Sequence, residues 1–407
     1  MVLPLEGIKV IELCHWVLGP TCARVLGELG AEVIKVEDPR GGDPVRGLIS
    51  PSMMSESGLG PVNPFWEHWN GSKRGIAVDL SQEAGKEIVY KLVELSDVFV
   101  TNFRARVVDR LGMDYESIAK VNPRIIYAQA TGFGMKGPDR DRAAFDDTVF
   151  WIRSGIMSTL GEPDVPPVPL RGAMGDLSCA VFLAGAIVTA LLTRERFGFG
   201  QKVDISLMSA GMWVAGEDIQ RRLIWGERVQ NRKFARKKAP NPLRNTYQTK
   251  DKKWLFLMML QTDRFWPAVC KAIEREEMEK DPRFDSHQKR VDNNELIISM
   301  LDEVLATKTL AEWAERFEQY DLVWEPETTI SEAVNDPQVA ENDYVSEVEH
   351  SSGTSFKLLR VPFQFSETPI QPRGPGPELG QHTEEVLLEM GYDWNQVSKL
   401  KEQKVIL

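Results

Sequence analysis

Apolar and polar positions along the first half of the chain repeat in the order strand, helix, strand. The apolar segment GIKVIEL is followed by a loop, by TCARVLGELG with helical spacing, and by a second apolar segment, AEVIKVE. Pro20 suits the first turn of this helix, where its missing N–H costs nothing, and Gly30 ends it. A unit of this kind, a helix between two strands, is the building block of parallel sheets.

The unit recurs along the chain. The amphipathic segment SQEAGKEIVYKLVELS precedes DVFVTNF, DYESIAKVNP precedes RIIYAQATGFG, and an apolar helix that opens at Asp176 precedes QKVDISL. Strands that alternate with helices predict an α/β fold with a parallel, doubly wound sheet. The first strand is not followed by GxGxxG, so the usual dinucleotide fingerprint is absent.

The pattern changes after about Trp225. A basic loop, RVQNRKFARKKAP, reads best as a solvated charge run; WLFLMML follows as a strand, and TDRFWPAVCKAIE, NNELIISMLDEVLATK and TLAEWAERFEQY read as helices. The Pro- and Gly-rich segment SETPIQPRGPGPELG then forms a connector to a closing helix, QHTEEVLLEMG. We therefore predict a large domain over 1–224, a smaller α+β domain over 225–330, and a connector that returns to the large domain over 331–407.

The composition excludes several classes of protein. With 49 basic and 60 acidic residues the net charge is −11, which argues against general binding of nucleic acid or of anionic membranes. The four cysteines form no CxxC pair, and the five histidines show no ligand spacing, so we expect neither a disulfide framework nor a metal site. No signal peptide is recognisable, and the longest apolar run, Cys179 to Leu192, is short for a membrane span. We expect a cytoplasmic protein.

Three loops follow predicted strands and would share one edge of the sheet: CHWVLGP, NFRARVVDRLG and GFGMKGP. Ligands of such sheets bind in the crevice at this edge, where helix N-termini favour phosphate. Seven cations lie in or near these loops: Arg40, Arg46, Lys73, Arg74, Arg104, Arg110 and Lys136. Together they indicate a site for a polyphosphate ligand, although each alone is equally typical of a protein surface.

One carboxylate, Asp176, lies between a glycine-containing turn and the long apolar run. Its residue type suits a helix N-cap, which accepts hydrogen bonds from the first free backbone N–H groups. The alternative is that Asp176 takes part in a reaction. These residues alone do not decide between the two interpretations.

Taken together, these segments resemble the family III CoA-transferases, which include formyl-CoA transferase and carnitine CoA-transferase. The resemblance extends over nearly the whole chain. It rests on LEGIKVIEL, LGELGAEVIKVE, GGDPVRG, NGSKRGIAVDL, DVFVTNFR, ATGFG, FDDTVFWIRSGIMSTLGEP, the segment from Gly175 to Leu207, and PELGQHTEEVLLEMG.

The resemblance implies an architecture and a chemistry. The large domain would be built from the N- and C-terminal parts, with the small domain inserted, and two chains would form an interlocked dimer. CoA thioesters would be substrates, with no tightly bound cofactor. Asp176 would be the nucleophile, passing through an aspartyl–acyl anhydride and an aspartyl-CoA thioester. The nearby helix N-terminus would help to keep its carboxylate ionised at neutral pH.

The resemblance also assigns CoA-binding residues by position: His15, Trp16, Val17, Leu18, Lys73, Arg74, Asn102, Phe103, Arg104, Arg110, Leu111, Phe133 and Lys136. At one position the formyl-CoA enzyme has an arginine where this chain has Asp38, and Arg40 is the candidate substitute. The segment MMLQTDRF stands where that enzyme has a glycine-rich flap, which suggests a differently gated pocket.

Large apolar side chains are the candidates for the acid-binding pocket: Phe145, Phe150, Trp151, Met157, Trp213 and Met259. Core packing is an equally good explanation for each. If several line the pocket, the acceptor is bulky and apolar. The chain looks most like the benzylsuccinate CoA-transferases of anaerobic toluene degradation, which implies succinyl-CoA as donor. Carnitine-type and other aryl- or hydroxy-acid transferases are the alternatives.

Three alternatives remain. A related α-methylacyl-CoA racemase would need a histidine where this chain has Phe145 in AAFDD. A structural partner subunit of a heteromeric CoA-transferase would lack the aspartate that this chain keeps at Asp176. A nucleotide-binding protein without activity would leave the extent of the resemblance unexplained.

Overall fold

A parallel sheet organises the larger part of the molecule. The structure, a computed structural model, describes residues 2–47, 62–229 and 233–407. The strands of this sheet are β1 Lys9–Leu13, β2 Glu32–Glu37, β3 Arg74–Ala77, β4 Val98–Thr101, β5 Ile126–Thr131 and β6 Gln201–Ser206. Their order is β3-β2-β1-β4-β5-β6, and every neighbouring pair is parallel. The predicted doubly wound sheet is confirmed, and its switch point lies between β1 and β4.

Helices connect these strands, as the periodicity predicts. They are α1 Leu18–Glu28, α2 Pro64–Asn70, α3 Glu83–Glu94, α4 Ala105–Leu111, α5 Tyr115–Val121, α6 Met174–Phe197, α7 Leu207–Val214 and α8 Gly216–Trp225, with a π-helical segment at Asp147–Arg153. Helix α1 begins at Leu18, so Pro20 lies within its first turn. Helix α6 begins at Met174, two residues before the predicted start.

One face of the sheet packs on α3 and on the end of the chain. Ile11, Phe99 and Tyr127 contribute to this core from β1, β4 and β5, and the Tyr127 hydroxyl donates to the Met113 carbonyl at 2.9 Å. Ile406, the last residue but one of the chain, forms an isolated bridge with Val78 beside β3. Both ends of the chain therefore build the same core.

Helix α6 packs against α1 and β6. Among the described residues it is the only helix long and apolar enough to cross a membrane by length and composition alone, a test that the core helices of soluble proteins also pass. Cys179, Leu183 and Ile187 are buried on its inner face, whereas Phe182 and Leu192 on the other face are exposed. We read α6 as a layer of the α/β fold.

The chain divides into two compact units. The first contains 1–157, 169–229 and 340–407, and the second contains 158–168 and 230–339. The second unit thus includes 158–168, a segment inside the predicted large domain.

The second unit has its own core around an antiparallel sheet of β7 Arg244–Gln248, β8 Trp254–Met258 and β9 Trp324–Pro326. Its helices are α9 Thr262–Ala272, α10 His287–Asp292, α11 Asn294–Leu305, α12 Leu310–Gln319 and α13 Ile330–Ala333, and α14 Pro337–Glu341 spans the boundary at 339–340. The first unit resumes with the hairpin β10 Val345–Glu349 and β11 Ser355–Leu359 and ends with α15 Thr383–Glu389 and α16 Trp394–Glu402.

Candidate active site

A cavity of about 830 Å³ opens at the carboxyl edge of the sheet in the first unit. The loops after β1, β4 and β5 and the start of α7 form its walls. Its lining residues are His15, Trp16, Val17, Leu18, Asn102, Phe103, Arg104, Arg106, Val107, Arg110, Ala130, Thr131, Gly132, Arg140, Arg142, Ala144, Phe145, Asp176 and Leu207. The cavity spans the switch point, where ligands of doubly wound sheets bind.

The loops after β1 and β4 are joined by a reciprocal pair of hydrogen bonds. The His15 backbone N–H donates to Asn102 Oδ1 at 3.0 Å, and Asn102 Nδ2 donates to the His15 carbonyl at 2.6 Å. The His15 ring meets the Phe103 ring edge-on at 4.7 Å. Burial lowers the pKa of His15, so its imidazole is neutral at pH 7.

The next residue, Trp16, has a left-handed backbone with φ of 66°. Its N–H donates to Asp43 Oδ1 at 3.1 Å, and Asp43 Oδ2 is paired with Lys35 Nζ at 3.0 Å. This buried ion pair supports a backbone conformation that is unfavourable for tryptophan. The Trp16 ring meets the Phe145 ring edge-on at 5.6 Å.

Lys73 does not line the cavity. Its side chain is fully buried, and Nζ lies 2.7 Å from Glu12 Oε2 while donating to the carbonyls of Pro20 and Trp69. Burial is the main cause that lowers the pKa of Lys73 to about 8. The structure therefore does not place Lys73 in the cavity lining with the other predicted CoA-binding residues, because its position just before β3 turns the side chain into the interior.

Arginines supply the positive charge of the cavity. Its described lining includes Arg104 and Arg110, as predicted, and also Arg106, Arg140 and Arg142. Arg140 lies 3.5 Å from Asp109, and Arg142 lies 3.6 Å from Asp139. Ion pairs near the surface such as these contribute little to stability. The arginines that recur within RARVVDR and DRDR indicate these three additional cavity residues, but the same pattern is typical of a solvated loop.

Asp176 lies in the first turn of α6, but it is not the N-cap. The N-cap residue is Ala173, whose side chain makes no capping bond. The N-cap interpretation is therefore wrong, because the helix begins two residues earlier than predicted. Burial first, and then the charges of Asp146 and Asp147, raise the pKa of Asp176 to about 7. Burial and these two charges therefore oppose ionisation of Asp176, in the direction opposite to the effect expected of the helix N-terminus.

Other predicted CoA-binding residues lie outside the cavity lining. Arg40 pairs with Asp38 at 2.6 Å on the surface. Arg74 begins β3, at the amino edge of the sheet, and pairs with Glu385 and Glu389 at 2.8 Å each. Leu111 packs against the core, Phe133 lies beside the Arg142 and Arg153 side chains, and Lys136 is exposed.

Of the predicted acid-pocket residues, the structure places only Phe145 in the cavity lining. Phe150 is buried, Trp151 and Met157 are half-buried, and Trp213 is 75% exposed. Met259 is buried in the core of the second unit. Phe150 and Met259 are therefore packed in the interior, as the alternative of core packing predicts.

The described residues contain no group of three or more His, Cys, Asp or Glu side chains arranged to hold a metal ion. The cavity instead combines neutral imidazole, guanidinium groups, aromatic edges and one carboxylate. Such a set suits an anionic ligand with an acyl group to be transferred.

A family model described as CoA-transferase family III matches residues 5–383. The chain belongs to this family. It is 32% identical to the (R)-2-hydroxy-4-methylpentanoate CoA-transferase of Clostridioides difficile over 402 residues, which is 99% of each chain. It is 31% identical to the cinnamoyl-CoA:phenyllactate CoA-transferase of Clostridium sporogenes, covering 99% of this chain and 97% of that relative.

The fold agrees with solved structures of the family. A CAIB/BAIF family protein from Brucella suis superposes with a TM-score of 0.81 at 27% identity, covering 96% of this chain and 100% of that chain. The protein is a CoA-transferase, and its substrates are an acyl-CoA and a carboxylic acid.

Proposed function

We propose that this CoA-transferase uses the Asp176 carboxylate as its nucleophile, takes CoA from succinyl-CoA and passes it to a bulky apolar acid such as benzylsuccinate. The observation that supports this most is the composition of the cavity. Asp176 is the one carboxylate among its described lining residues, and five arginines share that lining. The guanidinium groups can bind the phosphates of CoA, and the Asp176 carboxylate can attack the acyl carbonyl carbon.

The reaction balances without an added reactant. Asp176 attacks the thioester carbonyl, the C–S bond breaks, and an anhydride and the CoA thiolate form. The thiolate attacks the aspartyl carbonyl, giving an aspartyl-CoA thioester and releasing the donor acid with one oxygen from Asp176. The acceptor carboxylate attacks this thioester and displaces the thiolate, which then takes the acceptor's acyl group and restores Asp176 with one acceptor oxygen. Neutralisation of the negative charge that develops on the carbonyl oxygen speeds each attack.

Apolar side chains in the same cavity support a bulky acceptor. Trp16 and Phe145 meet edge-on, and Val17 and Leu207 line the cavity beside them. The relatives named above act on a branched and on an aromatic acid, respectively. Succinyl-CoA as donor rests on the resemblance to benzylsuccinate CoA-transferases.

Isotope transfer tests the nucleophile. With an acceptor labelled by ¹⁸O in its carboxylate, we expect turnover to place ¹⁸O in the peptide that contains Asp176, read by mass spectrometry. Asp176→Ala is expected to abolish both transfer and labelling while CoA still binds. Asp204→Asn, an exposed carboxylate on β6, is the matched control and should be fully active. Transfer by Asp176→Ala would overturn the proposed nucleophile.

A panel of acids with succinyl-CoA, read by product mass, tests the acceptor. Benzylsuccinate and other aryl or branched acids should exceed formate and oxalate in kcat/KM. Turnover of a small acid with none of benzylsuccinate would contradict the proposed substrate class. Exchange of the α-hydrogen of a 2-methylacyl-CoA in deuterated water, without any acceptor, would instead indicate the racemase.

We also propose that two chains associate, either as the interlocked homodimer that the resemblance implies or with a related subunit. Helix α8 has no buried residue, and Trp213, Leu223 and Ile224 are 75%, 72% and 63% exposed. An apolar surface of this kind favours an interface.

A further inference from the structure

A second carboxylate, Asp146, lies directly behind the nucleophile without lining the cavity. It is 5% exposed, and its Oδ2 accepts a hydrogen bond from the Gly175 backbone N–H at 2.9 Å. The Asp176 N–H also interacts with the Asp146 carboxylate. Asp146 thus holds the first turn of α6 in place of the missing side-chain cap, although it is 30 positions away in the sequence.

The approach of Asp146 to the helix depends on Gly175. A Cβ atom added at Gly175 would lie 2.1 Å from Asp146 Oδ1 and 2.3 Å from Phe150 Cγ. Either contact is too short for any real side chain, so only glycine permits this arrangement. The close approach brings the Asp146 carboxylate against the turn that carries Asp176.

The other carboxylate oxygen of Asp146, Oδ1, is buried and makes no well-formed hydrogen bond among the described residues. The side chain of Trp151, whose Nε1 is buried in the same way, interacts with this carboxylate. A buried carboxylate that is only partly hydrogen-bonded is costly in stability, which calls for a role beyond capping. The preceding residue, Phe145, lines the cavity, so this short segment links the cavity wall to the helix that carries the nucleophile.

We propose that Asp146 is a positioning residue for Asp176: it fixes the first turn of α6 through backbone N–H groups, and its buried negative charge opposes ionisation of the Asp176 carboxylate. The Asp176 carboxylate is therefore more basic, and a smaller fraction of it is ionised at neutral pH. This inference rests on the proposed role of Asp176.

The surroundings of Asp176 identify the other charges that act on it. Asp147 begins the π-helical segment and is exposed, so solvent screens its charge more than that of Asp146. Cys179 lies one turn further along α6 and is buried. The ionisable residues of the cavity wall besides Asp176 are His15, Arg104, Arg106, Arg110, Arg140 and Arg142. Of the elements packed against α6, α1 carries Cys22, Arg24 and Glu28, β5 carries Tyr127, and β6 carries Lys202 and Asp204. The π-helical segment adds Arg153 to Asp147, and α7 carries no ionisable side chain. Asp146 is therefore the buried carboxylate beside Asp176 whose removal changes its ionisation most.

The substitution Asp146→Asn removes the negative charge but keeps the hydrogen bond to the start of α6, because the amide oxygen still accepts from the Gly175 N–H. The readout is the pH dependence of kcat/KM for succinyl-CoA. Since Asp176 must be ionised to attack, wild-type activity should fall as pH drops through about 7. In Asp146→Asn we expect this acid limb to move down by roughly half to one pH unit, a gain of about three- to tenfold in relative rate well below it.

Asp147→Asn is the matched control, and its acid limb should move less. Superposition of the Asp146→Asn profile on that of the wild type, or an equal move in Asp147→Asn, would overturn the inference. The proposed function fails separately, if Asp176→Ala still transfers CoA.

Asp146→Ala removes both charge and cap. Its plateau rate should fall at high pH, where Asp176 is ionised in every variant, and Asp146→Asn should restore most of it. If Asp146→Asn does not fold, Gly175→Ala provides a second route, because the added methyl group displaces the Asp146 carboxylate. Its acid limb should also move down, and an unchanged limb in a folded Gly175→Ala protein would contradict the inference.

Discussion

Glu12 lies between two lysines in the interior of the first unit. Its carboxylate oxygens are 2.7 Å from Lys35 Nζ and 2.7 Å from Lys73 Nζ, and all three side chains are fully buried. Lys73 also donates to Asn70 Oδ1 at 3.0 Å, so its ammonium group is saturated. At the scale of the residue, the Lys73 ammonium group links α1, α2 and β1.

Replacement of Lys73 tests this role. Lys73→Met leaves Glu12 with one partner fewer in a buried environment, and we expect the free energy of unfolding to drop by roughly 3–5 kcal/mol. The KM for the acyl-CoA should be unchanged, as read by urea unfolding and steady-state kinetics. Lys120→Met, at an exposed position, should change neither. A raised KM with unchanged stability would restore Lys73 as a CoA-binding residue.

At the scale of the element, the cavity depends on two neighbouring strands ending together. β1 and β4 are parallel, with Leu13 opposite Thr101, so the loops that follow them emerge side by side. Asn102 then joins these loops through two hydrogen bonds to the His15 backbone. The cavity wall therefore keeps its shape through a side chain that needs no contact with the reacting atoms.

Asn102→Ala should loosen this wall. The loss of two hydrogen bonds corresponds to about 1–3 kcal/mol, and we expect KM for the acyl-CoA to rise by roughly 5- to 100-fold with a smaller change in kcat. Asn122→Ala is the matched control, because Asn122 Nδ2 donates to the Val93 and Ser96 carbonyls at 3.0 and 2.8 Å away from the cavity lining. Equal effects on KM in both variants would show that general destabilisation, not the loop clamp, is responsible.

At the scale of the whole molecule, a group of large apolar side chains is exposed on the surface of the single chain. It lies on the outer side of α6 and on α7 and α8, where Phe182, Leu192 and Leu223 are 40%, 50% and 72% exposed. Monomeric proteins rarely keep apolar patches of this kind in water.

We expect light scattering to give a mass of two chains, and Leu223→Glu together with Ile224→Glu to reduce association. Charged side chains there would have to be desolvated in the interface, at a large cost. Ile330→Glu, at a position of the second unit that is 83% exposed, should leave the mass unchanged. An active wild-type monomer would contradict the proposed association.

Local patterns of residues are enough to predict the elements of the fold and their order. Hydrophobic periodicity is local, so GIKVIEL, AEVIKVE and QKVDISL predicted β1, β2 and β6, and the alternation of strands with helices predicted the parallel sheet. The loops that follow three of the predicted strands fall at one edge of the sheet. Arg104 is a candidate because it lies in one of these loops, and Asp176 is a candidate because it lies at a predicted helix start.

Which charged side chains face the cavity depends on the three-dimensional packing of the chain. Lys73 and Arg104 are both cations next to a strand, yet one is buried and the other lines the cavity. Asp146 meets Gly175 only because the fold brings distant segments within hydrogen-bond distance. Burial and neighbouring charges depend on such long-range packing, and they set the pKa of Asp176, which no local pattern of residues contains.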